Sequence, residues 1–134
     1  MDKYIYLYSL TESLKLHLMK EKKAAPLDAL HREYQRLSRS LAAIGYISQG
    51  SILDRSILRP PRSGYQWTRK VAQKTITVAL SPEQFRSLKE AIANRRALEK
   101  TITKMEKISR RILFESLPDT NRRKPLQKKV LGTV

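Results

Sequence analysis

The sequence of 134 residues contains no cysteine. Disulfide cross-links and thiolate-bound zinc are thereby excluded. Histidine occurs only at His17 and His31, too few and too scattered for a metal centre. Glycine is scarce, with four in all, and none stands in a Gly-rich phosphate loop. Acidic residues are few, and Asp2, Glu12, Asp28, Asp54 and Asp119 are isolated along the chain. Two-metal nuclease chemistry needs clustered carboxylates, so that class finds no support. His31 and Glu33 lie two apart on one helical stretch and face different ways, which removes the nearest approach to an acid–base pair. No apolar run approaches the roughly 20 residues of a spanning helix. The opening segment "MDKYIYLYSLTESLKLHLMKEKK" is interrupted by Glu12, Lys15 and His17 and lacks the features of a signal peptide. These absences predict a cytoplasmic, non-enzymatic chain without cofactor or metal and without a membrane role.

What is present is positive charge. Twenty-eight Lys and Arg against twelve Asp and Glu give a net charge of +16, with an isoelectric point near 10.4. A field of that size exceeds what solubility requires and attracts polyanions. The excess is uneven. Residues 45–80 carry six basic groups and one acidic group, and residues 118–134 carry five and one. In the helical stretches acidic groups partly balance the basic ones, as on a solvated face.

Periodicity predicts an α+β fold: N-terminal helices, a small antiparallel three-stranded meander, a long C-terminal helix and a flexible basic tail. Leu7, Leu10, Leu14 and Leu18 recur at spacings of three and four, which predicts a helical arm over 1–25. Pro26 is expected to break it. A second helix follows on the seam Leu27, Leu30, Tyr34, Leu37, Leu41 and Ile44, with Gly45 at the place of a left-handed C-cap. It opens a core over 27–117.

"GSILDRSIL", "YQWTRKV" and "KTITVAL" read as strands, with Ala72–Gln73 as a tight link whose turn type the sequence leaves open. "RPPRSG" is a loop, because its prolines cannot donate to a ladder. Ser81, Pro82 and Gln84 form a helix-start signature, and no Gly or Pro follows until Pro118. The helix so predicted is about 50 Å long. Its seam includes Leu98, Ile102, Met105 and Ile112, which are candidate interface residues for a second copy or a protein partner.

The candidate nucleic-acid contacts follow the basic stretches. In 59–74 they are Arg59, Arg62, Arg69, Lys70 and Lys74, with Tyr65 and Trp67 as aromatic neighbours. Tyr65, Trp67, Arg69 and Val71 share one strand parity. The aromatics therefore either stack on bases or cover the sheet face that meets the long helix, and both readings stand at this level. Arg95 and Arg96 either reach a groove or pair with Glu90 or Glu99 one turn away. In the tail, Arg122, Arg123, Lys124, Lys128 and Lys129 are candidates for nonspecific phosphate binding.

"GSILDRS", "GYQWTRKVAQKTITVALSPEQF" and "ANRRALEKTITKMEKISRRIL" together resemble a family of short bacterial proteins of unknown function encoded beside transposase genes. The matching positions are Gly50 and Ser51, Gly64 and Tyr65, Thr68 to Lys70, Lys74 and Thr75, and Leu80 to Gln84, within roughly residues 30–115. Many members carry a Cys-rich insert between the first two strands, where this chain has "RPPR" and no cysteine. The resemblance implies association with a mobile element and a transposase or effector as partner, not a reaction. The expected function is nucleic-acid binding, of DNA or RNA, with a protein-docking subunit as the reading of a different class.

Overall fold

The structure, a computed structural model, describes residues 2–133; within the first helix the side chains of 1–10 and 19–25 are not among those described. Helix α1 runs Asp2–Leu41, strand β1 Ser51–Asp54, a 3-10 turn Arg55–Ile57, strand β2 Tyr65–Val71, strand β3 Lys74–Leu80, helix α2 Pro82–Ser116 and a short helix α3 Lys128–Leu131. The class is α+β: helices with a three-stranded antiparallel sheet in the order β1-β2-β3. No helix among the described residues is long and apolar enough to cross a membrane.

Three local expectations are corrected. Pro26 does not end the first helix but lies inside α1. A proline costs a helix interior one hydrogen bond and a clash with the carbonyl four residues back. Here the flanks "KEKKAA" and "LDALHREYQRL" consist almost wholly of strong helix formers, which offset it. Gly45 is not a left-handed cap. The helix tightens instead through Ala42, Ala43 and Ile44 N–H groups bonded three residues back, and Gly45 lies in tight contact with a distant side chain. A Cβ there would stand 3.3 Å from Asn94 Nδ2, whose amide donates to the Tyr46 carbonyl at 3.0 Å. Finally, "RSIL" does not extend β1. Asp54 Oδ1 accepts from Ser56 N–H at 3.0 Å, turning the strand into the 3-10 turn.

The chain divides into two compact units, 39–104 and 1–38 with 105–134. In the first, Ala91 and Ile92 of α2 are buried, and the Ser48 N–H donates to the Ala91 carbonyl at 3.2 Å. The start of α2 carries the full capping box: Gln84 N–H donates to Ser81 Oγ at 3.1 Å, and Ser81 N–H to Gln84 Oε1 at 2.9 Å. In the second unit Leu37 is buried, while Leu14 and Leu18 of the predicted seam are exposed. Residues 128–131 close a helical turn capped by Gly132, which approaches the Arg110 guanidinium.

Among the described residues only Leu37, Ala91 and Ile92 are buried.

Candidate nucleic-acid interface

The β2–β3 hairpin owes its shape to its turn. Ala72 and Gln73 both have positive φ, 47° and 66°, the two-residue geometry whose twist matches paired strands. The register then sorts the side chains. Trp67 faces Val78, Arg69 faces Ile76, Tyr65 faces Leu80 and Val71 faces Lys74, all on one side. Gln66, Thr68 and Lys70 share the other side with Thr75, Thr77 and Ala79. The Thr68 and Thr77 hydroxyls lie 3.4 Å apart there.

The aromatics serve the fold. Tyr65 stacks on Phe85 of α2, with ring centroids 4.3 Å apart, so one of its faces is taken. Trp67 Nε1 donates to the Gln49 carbonyl at 3.0 Å. The indole leaves no room beside Gly50, where a Cβ would meet Nε1 at 2.4 Å, and Gly50 also has φ +107°. Arg69 lies on the same side with its guanidinium carbon 5.5 Å from the Trp67 ring centroid, the distance of a cation–π contact.

The cations divide into engaged and open. Lys70 and Lys74 are both exposed at the hairpin tip, but the register sends them from opposite faces, so they do not form one patch on the open face. Arg59 and Arg62 are exposed on the 55–64 loop. Arg55 closes that loop, its N–H donating to the Gly64 carbonyl and its carbonyl accepting from Arg62 N–H. Arg95 pairs with Glu99 at 3.2 Å, and Arg122 pairs with Asp119. Arg96, Arg123, Lys124, Lys128 and Lys129 are exposed. Asp54, the one acidic residue of the basic region, is a cap. Hydrogen bonds from Ser56, side chain first and then backbone, hold its carboxyl below the ordinary range.

Helix α2 adds residues beyond those singled out from sequence. At 100° per residue, Arg86, Lys89, Arg96, Lys100 and Lys104 fall within an arc of about 80° extending about 27 Å along the axis. All five are exposed, and Glu83, Glu90 and Glu99 lie outside the arc. Arg86 approaches Glu83 at 3.8 Å. Lys89 and Arg96 line a hollow of about 340 Å³ beside Ser51 and Ile52 of β1. Arg96, Lys100 and Lys104 line a second hollow of about 490 Å³ together with Glu99 and Thr103. The spacing of these cations is visible in the sequence. The "NRR" cluster alone draws the eye because its charges are adjacent, although adjacent residues leave a helix in different directions.

Of the candidate protein-interface residues, Leu98, Met105 and Ile112 are half-buried within the chain and Ile102 is exposed. No group of three or more metal-ligating side chains occurs among the described residues. Compared with protein-family models, curated proteins and solved structures, the sequence matches none.

Proposed function

We propose that the chain is a non-enzymatic, cytoplasmic nucleic-acid-binding accessory protein that grips the phosphate backbone. The observation that carries this reading is the arc of five exposed cations on α2, uninterrupted by any carboxylate. Lys70 and Lys74 at the hairpin tip and Arg59 and Arg62 on the loop extend the basic surface of the same unit. Exposed cations are the groups that displace counterions from a polyanion, and within the arc Arg86 is partly neutralised by Glu83 at 3.8 Å. The half-buried aromatics are committed to the fold, so the contacts favour backbone binding over base stacking. The sequence resemblance of residues 30–115 supports a role beside a transposase, as part of a mobile element. DNA and RNA both offer the required phosphate ladder.

The test is binding to duplex DNA and to structured RNA over a salt series. Meeting some five to nine phosphates gives a log–log slope of about −4 to −8 on duplex DNA. A flat response on both ligands removes the reading. Nuclease sensitivity of material co-purifying with the chain assigns DNA or RNA.

The second reading, a subunit docking on a transposase or effector protein through α2, rests on Ile102, which is 41 % exposed in mid-helix. It predicts that nuclease treatment leaves such a complex intact and that Ile102→Glu dissolves it.

A further inference from the structure

Strand β3 is the edge of the sheet, bonded to β2 on one side only. The two-residue turn makes Val71 and Lys74 a hydrogen-bonded pair, and such pairs alternate with non-hydrogen-bonded ones along an antiparallel ladder. Lys74, Ile76, Val78 and Leu80 therefore direct their backbone groups at β2. Thr75, Thr77 and Ala79 direct theirs away from it. No other backbone hydrogen bond among the described residues takes up these outward groups. Residues 74–79 are exposed, and Ile76 and Val78 keep 39 % and 42 % of their surface in water.

Proteins blunt such an edge with proline, a bulge, a central charge or a short strand. This strand has none of these. It is seven residues long, its register is unbroken, and its only charge, Lys74, stands at one end. The opposite edge, β1, has only four residues and turns into the 3-10 segment.

We propose that β3 pairs antiparallel with β3 of a second copy of this chain, with Thr77 opposite Thr77. The strand is self-complementary in that register. Thr75 meets Ala79 of the second copy, so every outward N–H and C=O of 75, 77 and 79 finds a partner. A slip of two residues in either direction leaves an outward residue at one end without its opposite number within the strand. A slip of one sets the apolar side against the polar side. Ile76 then stands opposite Val78 of the second copy at a non-hydrogen-bonded site, where side chains are closest. Charge is compatible with this arrangement. Lys74 falls opposite Leu80, and the two Lys74 residues lie about 20 Å apart, beyond the Debye length of about 8 Å at physiological salt. The product is a six-stranded sheet. The pairing does not depend on the nucleic-acid reading.

The experiment uses the full chain, freed of nucleic acid by nuclease and held at high salt to screen the +16 charge. Sedimentation velocity over a dilution series is combined with amide hydrogen exchange. The expected result is a concentration-dependent passage from one chain to two. The Thr75, Thr77 and Ala79 amides gain protection with concentration, and the Ile76 and Val78 amides are protected at every concentration. Thr77→Lys, which sets like charges opposite each other, raises the dimer dissociation constant about fivefold. Three outcomes overturn the proposal: a single chain at every concentration, a dimer whose Thr77 amide stays unprotected, or Thr77→Lys associating unchanged while its Ile76 and Val78 amides remain protected. If that variant loses Ile76 and Val78 protection, the exchange pattern of the unaltered chain decides alone.

Discussion

Trp67 and Lys70 are three residues apart on one strand, yet the register gives them opposite duties. Trp67 is tied to the Gln49 carbonyl and fitted against Gly50, whereas Lys70 stands in water. Trp67→Ala should lower folding stability by about 2 kcal/mol, less than a fully buried tryptophan because the ring is half-exposed. Lys70→Glu with Lys74→Glu should leave the thermal midpoint nearly unchanged and cut nucleic-acid affinity. Thermal melts read beside a binding titration check both. A Trp67→Ala protein that melts normally but no longer binds would mean that the indole contacts the ligand. The turn offers a test of opposite sign. Ala72 and Gln73 hold positive φ, which costs a non-glycine residue about 1 kcal/mol or more. Ala72→Asn with Gln73→Gly should therefore raise the midpoint. Asp54 gives a pH signature. Its carboxyl titrates lower in the folded chain than in the unfolded one, because hydrogen bonds from Ser56 favour the charged form. Its contribution is present above the unfolded pKa, near 4, and is lost as pH falls through the depressed value. Protection of the Ser56 amide, its exchange rate measured against the intrinsic rate at each pH, should fall across that acidic window, and Asp54→Asn should abolish that change.

At the scale of the element, α2 does two jobs on different arcs. One arc holds the buried Ala91 and Ile92 with the half-buried Phe85 and Leu88, and the other presents the five cations. Reversing Lys89, Arg96 and Lys100 to Glu should preserve helicity, since exposed charges contribute little to folding. It should also reduce the magnitude of the salt slope by about 3 if each meets one phosphate. Circular dichroism and the same salt series measure the two effects. An unchanged slope would move the binding surface away from α2.

For the whole molecule, the tail and the main basic unit differ in kind. Deleting residues 119–134 should weaken binding to all sequences by similar factors, because backbone contacts carry no sequence information. A scrambled-sequence control in the same titration detects the alternative, a tail that reads bases. The strand boundaries of β2 and β3, the start and length of α2 and the two parities of the hairpin were all legible in the sequence. Each rests on short-range chemistry: an apolar alternation of period two, a capping box, and thirty-five positions without Gly or Pro. Pro26 misled because helix breaking is a competition between one lost bond and strong helix formers on both sides, and only the folded chain reports its result. Gly45 misled for a related reason, since its close neighbour is Asn94, forty-nine residues away. The separation of Lys70 from Lys74 followed from a two-residue turn whose type the sequence left open. Charge, period and caps are local and additive, so the sequence by itself determined a basic α+β chain. Which cations stand free, which aromatics are braced and which strand edge stays unpaired depend on residues meeting across the chain, and those only the tertiary structure decided.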